Sequence, residues 1–481
     1  VLKVLEAGIL LGLAVGIVAV FVRWEREGKE QLAPLVLLGL LVVEATIYAD
    51  PNGLPRSIFH PGSGSIQLRL PEIYITLALV ARLIARGKPT RIGFPAGLWL
   101  TFGAWMAVGA VEGSLYHNSM SVDLYEAKSI IYIVGAYALA AGVPVRRYLE
   151  SGDLFKLGTL SIACASVLDL MTIANVSINL HLPLLPLQNF GEVGAETAAL
   201  LLAIWTICFL CRLASGTVRI RHVLALVPLV ACVVLADQRA VLVNLAVVVS
   251  VVLVVLAVTY RHGVARRLHV ASGQLALMIL AVVAVAIVIV VLPAAVDHQP
   301  VHNPLASTFQ GIFHSEAKVE SAQDRLNLAS SVEAVIPQHL FIGSGLGVQF
   351  QYFETGTQMW TTIAYAHNIV LDLWVRLGLI GLVLFVLALV ASIVGGMQVW
   401  RRHPEPMTAA FALALVAVLA GLMATALLEP LIDEYRFATL LGVSIGMLRA
   451  AVTSMGEWRG RPSWRLEASH LKAAAGGGKW S

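Results

Sequence analysis

Long apolar runs separated by short polar loops organise this chain. They sit near Leu5–Val22, Ala33–Tyr48, Ile73–Ile84, Phe94–Val111, Ser129–Val145, Leu157–Ile173 and Glu196–Cys211. They continue near Val223–Leu235, Val241–Tyr260, Gln274–Leu292, Leu377–Met397, Met407–Leu428 and Ala438–Leu448. A helix of about 20 apolar residues crosses the hydrocarbon of a bilayer. Within lipid, backbone polar groups are satisfied only in helices or closed barrels. The pattern therefore predicts an all-α polytopic membrane protein with about 12–13 transmembrane helices. Twelve spans, with the first helix lying on the membrane surface, is the alternative.

One stretch interrupts this rhythm. From about Pro293 to Asn368 the chain carries Val319, Ala322, Leu326, Ala329, Val332 and Ile336 at spacings of three or four, as in an amphipathic helix. Pro337 ends that helix, and Gly343-Ser344-Gly345-Leu346-Gly347 forces a turn. Trp360 and Tyr365 suit an interfacial position. The expected organisation is transmembrane helices over residues 1–292, a large extracytoplasmic helical loop subdomain over 293–368, further transmembrane helices over 369–449 and a basic flexible cytoplasmic tail over 450–481.

Composition narrows the picture. Of 481 residues, 58% are hydrophobic and only 13% charged, which excludes a disordered chain, a coiled coil and an ordinary cytosolic enzyme. The net charge is +4, and most Lys and Arg gather in alternate loops, such as Arg82, Arg86, Lys88, Arg91 and Arg146, Arg147, Lys156. That asymmetry places the basic loops in the cytoplasm and the long loop outside, and it argues against a nucleic-acid partner. With thirteen spans the amino terminus is outside and the carboxyl tail inside. Cys164, Cys208, Cys211 and Cys232 all lie in apolar runs and read as packing residues.

Charged groups at membrane depth are costly and default to functional candidates. Arg239, in Asp237-Gln238-Arg239-Ala240, ends a tight outer turn, where its fork suits a phosphate or pairs with Asp237. Arg325 alone is a weak signal, because Asp324 and Glu320 are placed to neutralise it. His367, in Tyr365-Ala366-His367-Asn368, stands where the long loop re-enters the membrane; it fits a general base, or a histidine satisfied by loop backbone. Asp372 and Arg376, four apart on a helix, neutralise each other. Arg436 joins Glu429, Asp433 and Glu434 in an outer turn that contacts a polar ligand or is merely solvated. Asp169 should face the bundle interior. His298, His302 and His314 are not expected to hold a metal, since Pro300 interrupts their face and no cysteine joins them. There is no Walker A run, no Asp-x-Asp and no G-x-S-x-G elbow. An enzyme of this design must draw its energy from a substrate already activated.

Taken in order, Gln238-Arg239-Ala240, then Arg325, Pro337 and the glycine turn, then His367-Asn368-Ile369-Val370-Leu371 with Gly378-Leu379-Ile380-Gly381 opening a membrane helix, this chain resembles the bacterial O-antigen ligase and O-antigen polymerase superfamily. The motifs span about a third of the chain and are moderately specific as a set. The resemblance implies a glycosyltransferase at the outer face of the inner membrane, with a polyprenyl-diphosphate-linked glycan as donor and a glycan or lipid hydroxyl as acceptor. It implies that Arg239 and Arg325 bind the diphosphate and that His367 is the base, with Asp372, Arg376 and Arg436 as secondary candidates. Neither metal nor cofactor is implied. Ligase and polymerase roles stay open. Arg376 departs from the family, many of whose members place an acid there, and thirteen spans depart from an even count. Two other readings compete: a transporter or flippase of lipid-linked glycans, and a peptidoglycan-polymerising relative using Asp297 or Glu316.

Overall fold

The structure, a computed structural model, describes residues 2–47, 69–86, 96–178, 195–235, 239–261, 316–355, 357–428 and 435–459. The run at Gln274–Leu292, the histidines at 298, 302 and 314, Asp297, the acids at 429, 433 and 434 and the tail beyond 459 lie outside the described residues. Helices dominate: α1 (Leu2–Arg26), α2 (Leu32–Ile47), α3 (Leu70–Arg86), α4 (Ala96–Leu115), α5 (Met120–Ile130), α6 (Ala136–Ala141), α7 (Val145–Glu150) and α8 (Asp153–Ile178). Then come α9 (Ala195–Ala214), α10 (Ile220–Leu224), α11 (Leu226–Leu235), α12 (Arg239–Arg261), α13 (Glu316–Val335), α14 (Ile369–Arg402), α15 (Pro406–Ala426) and α16 (Tyr435–Arg459). Among the described residues, six helices are long and apolar enough to cross a membrane: Gly97–Leu115, Val122–Ala141, Thr197–Ala214, Ile369–Arg402, Pro406–Ala426 and Tyr435–Met455. The chain is an all-α polytopic membrane protein.

A continuous apolar core built on Leu37, Leu41, Trp99, Phe102, Phe411 and Phe437 joins these helices. Without a hydrophobic drive between helices in lipid, close packing at small residues holds them. Gly421 of α15 is one such point, since a Cβ there would lie 2.4 Å from Oδ1 of Asn244 on α12. The cysteines are free and buried, and Cys208 Sγ donates to Leu154 O at 3.2 Å, a packing contact between α8 and α9. Asp169 is buried beside Cys232 of α11.

Three boundaries differ from the hydropathy reading. The run expected to start at Ser129 begins at Met120, because α5 continues through a π-helical turn at Ile131–Gly135 into α6. Its first turns carry Asp123, Glu126 and Lys128, polar on any scale yet set among protein neighbours; Asp123 and Glu126 are buried. The long-loop subdomain is not purely helical. After α13 and a short 3-10 turn at Ile336–His339 it forms an antiparallel hairpin, β1 (Phe350–Glu354) against β2 (Met359–Ile363), with Phe350 opposite Ile363. The inward face of α13 holds Val332 and Ile336 as expected but differs at Leu326. Leu326 is 61% exposed, while Leu328, Val332 and Ile336 pack with Val348, Phe350, Tyr352, Ala366 and Val375. Leu326 and Leu328 point about 200° apart on a helix, so only the partner decides which is covered.

The helix α14 is broken. Gly378 has φ 67° and ψ −176°, a region open only to glycine, so residues before it form a short segment with its own direction. At 1.5 Å per residue the remainder, Leu379–Arg402, is about 36 Å long, enough to cross a bilayer alone. A Cβ on Gly378 would lie 2.1 Å from Phe341 O. Gly378→Ala is expected to cost at least about 1–3 kcal/mol from backbone strain alone. Gly16→Ala, in the middle of α1 with nothing within 4 Å, should be neutral or stabilising by up to about 1 kcal/mol. Thermal unfolding of both variants in one detergent checks this, and equal midpoints contradict it.

Candidate functional site

The break at Gly378 frees backbone groups that a continuous helix would pair, and the glycine turn of the subdomain pairs them again. Ser344 N–H donates to Val375 O at 2.7 Å and Gly345 N–H to Arg376 O at 3.1 Å. Leu377 O accepts from the Trp105 indole of α4 at 2.8 Å. Beyond the break, the N–H groups of Leu379 and Ile380 donate to Leu340 O and Phe341 O at 2.9 and 3.2 Å. Such close approach requires bare Cα atoms: Gly343, Gly345 and Gly347 all have positive φ, and a Cβ at Gly345 would stand 2.2 Å from Gly113 N.

The far side of the turn rests on α4 and α5. His117, at φ 59°, closes α4 in the left-handed region, and Asn118 N–H bonds back to Gly113 O at 3.0 Å. That closure aims the Asn118 amide at Ser344 O and Leu346 O, 2.8 and 2.9 Å away. Leu346 N–H donates to Gly109 O at 2.9 Å. Gly347 N–H donates to Oε2 of Glu126 at 2.8 Å.

The charged residues meet at this plug. Arg376 Nη1 lies 3.0 Å from Asp372 Oδ2, and its Nη2 lies 3.2 Å from Glu126 Oε1, all three side chains being 2–3% exposed. The expected Asp372–Arg376 pair therefore exists, extended by a second carboxylate from another helix. Both members also reach back to the backbone that precedes His367. Asp372 Oδ1 accepts from Ala366 N–H at 3.0 Å, and Arg376 Nη2 donates to Ala364 O. Asn368 is the N-cap of α14, its Oδ1 accepting from Val370 N–H at 2.9 Å. His367 itself is half-buried, edge-on to Tyr365 with ring centres 5.4 Å apart. An imidazole set between a pinned loop and a helix cap can take a proton from a group placed before it.

The arginines are reached by different routes. Arg325 stands on α13, one turn before Leu328, which packs in one cluster with Ala366. Its Nη1 donates to Leu428 O, just past the end of α15, at 3.1 Å. Its neighbour Asp324 accepts from Thr355 N–H at 2.6 Å and so helps to hold the hairpin. Arg239 is the first residue of α12, whose Asn244 lies against Gly421 of α15; the Arg239 side chain lies outside the described residues. Arg436 belongs to a separate group. Its Nη1 donates to Thr197 Oγ1 at 3.3 Å and its guanidinium stands 5.1 Å from the Tyr435 ring, which Arg69 also covers at 4.1 Å.

Sequence reasoning missed Glu126, Asn118 and Trp105. The signal for Glu126 was present, since an acid within a membrane-length helix calls for a buried partner. It was masked because the apolar run was read as starting after it.

Residues 224–386 match the family model described as O-Antigen ligase. The match supports assignment to the O-antigen ligase/polymerase family, and that family suggests a glycan-transferring enzyme acting on lipid-linked glycans. The matched interval holds Arg239, Arg325, the glycine turn, His367 and the break at Gly378. No curated protein matches the chain.

Asn118→Ala leaves two carbonyls of the turn without that amide, which should cost about 1–3 kcal/mol. Faster proteolysis between Pro337 and Val348, with a lower thermal midpoint, is the expected readout. Wild-type behaviour in both would show that the turn is held without it.

Proposed function

From this family assignment, we propose that the chain transfers a glycan from a polyprenyl-diphosphate carrier to an acceptor hydroxyl at the outer face of the bacterial inner membrane. The supporting observation is the placement of His367, half-exposed, next to a backbone held by buried charges and in the subdomain that carries Arg325. The excess of Lys and Arg in the loops at the opposite ends of the helices supports an outward-facing mouth.

In the proposed reaction the acceptor oxygen attacks C1 of the donor's reducing-end sugar. The bond from C1 to the diphosphate oxygen breaks, and the diphosphate leaves with the electron pair. His367 takes the hydroxyl proton. Displacement from the face opposite the leaving group inverts C1. Arg239 and Arg325 hold the diphosphate, where fixed positive charge in a partly dry site stabilises the growing negative charge far more than it would in water. The donor's own diphosphate supplies the driving force. The subdomain over residues 293–368 forms the outer cover in this reading, with the helices of 1–292 and 369–449 in the membrane.

His367→Ala should lower glycan transfer by about 10²–10⁴-fold, the usual contribution of a general base. Arg239→Ala and Arg325→Ala should each weaken it by about 10²-fold or more, as loss of a leaving-group contact does. The assay is transfer from purified lipid-linked glycan at equal amounts of folded protein. Full activity in the His367 variant together with either arginine variant would overturn the mechanism.

A further inference from the structure

The buried cluster of Glu126, Arg376 and Asp372 does more than neutralise itself. Its hydrogen bonds leave the cluster at chosen points. Asp372 holds the N–H of Ala366 and Arg376 holds the carbonyl of Ala364, so the two grips bracket Tyr365 and end one residue before His367. On the other side Asn368 is fixed twice. Its side chain caps Val370 N–H, and its carbonyl accepts from Asp372 N–H at 2.9 Å. The backbone of His367 is thus set from both directions, and Asp372 takes part in each.

Arg376 is in turn prevented from rotating. Asp372 holds one terminal nitrogen at 3.0 Å and Glu126 the other at 3.2 Å. Glu126 comes from α5, and its second oxygen holds Gly347 N–H, the last residue of the glycine turn. One carboxylate therefore fixes both the plug in the broken helix and the guanidinium that reaches behind the histidine. Buried charge clusters stabilise a fold little better than apolar side chains of equal volume, and often worse. Directional hydrogen bonds to two defined backbone atoms are what apolar residues cannot supply.

We propose that Glu126, Arg376 and Asp372 are positioning residues for His367: together they set the place of its imidazole relative to the acceptor. This rests on the reading of His367 as the base. Because α5 carries Glu126, the placement of the base depends on where α5 holds that carboxylate relative to α14, two helices distant in sequence and joined through the ion pair and the plug.

The test uses the full chain in lipid nanodiscs with Glu126→Gln and Arg376→Lys. Glu126→Gln keeps side-chain volume and an acceptor for Gly347 N–H but removes the charge facing Arg376. Arg376→Lys keeps the charge and removes the fork. Two quantities are measured on folded protein: the rate at which diethyl pyrocarbonate modifies His367, read by mass spectrometry, and the kinetics of glycan transfer. Each variant should change the modification rate by about threefold or more and lower kcat by about tenfold to a hundredfold, as misplacement by about 1 Å does, with KM for the donor within about twofold. Glu126→Asp should recover part of kcat relative to Glu126→Gln. A modification rate equal to wild type in both variants overturns the proposal, whatever happens to yield or thermal midpoint. An altered modification rate with unchanged kcat supports positioning of the imidazole and instead removes His367 from the chemistry.

Discussion

A peptide group freed inside a buried helix has no water to bond, so such a helix breaks only where protein supplies the missing partners. Gly378 makes such a break, and much of the architecture around the mouth answers it. The carbonyls of Val375 and Arg376 and the N–H groups of Leu379 and Ile380 are taken by the segment from Leu340 to Gly345. Glycines allow that segment to come so near, and α4 and α5, through Asn118, Gly109 and Glu126, help to keep it there. The subdomain above is therefore not an appendage. Its turn completes a membrane helix, and its core shares Val375 and Ala366 with that helix and the loop before it.

The same constraint explains how the backbone on either side of His367 is held. A loop entering a membrane would ordinarily leave its residues free to move. Here the short segment of α14 before Gly378 turns Asp372 and Arg376 toward the loop, and their bonds reach Ala366 and Ala364. Arg325 reaches from α13 to the carbonyl of Leu428, just past the end of α15. The glycine turn, α5 and the loop before α14, far apart in sequence, are joined at a helix that stops and starts again.

The sequence carries the local parts of this design legibly and its pairings poorly. The membrane helices follow from hydropathy, because lipid permits few alternatives. The glycine turn, the stop at Pro337 and a helix opening at Gly378 are each readable from residue chemistry. That the turn plugs the break is not, since nothing local to Gly345 names Arg376 as its partner. Asp372 and Arg376 were visible as a neutral pair at helical spacing. Their extension to Glu126 was hidden, because burial in a protein-lined interior makes a polar start of a helix possible where hydropathy sees a loop. The hairpin escaped because strands of five residues carry too little alternation to stand out beside membrane helices. The choice of Leu328 over Leu326 is settled by the hairpin that Leu328 faces.

The most direct measurement is the fate of the carrier in proteoliposomes holding only this protein, a polyprenyl-diphosphate-linked glycan and an acceptor glycolipid, without nucleotide. Free polyprenyl diphosphate and elongated or glycan-bearing acceptor should appear together, in equal amounts. Movement of intact lipid-linked glycan between leaflets, with no polyprenyl diphosphate released, would contradict the account and leave a transporter in its place.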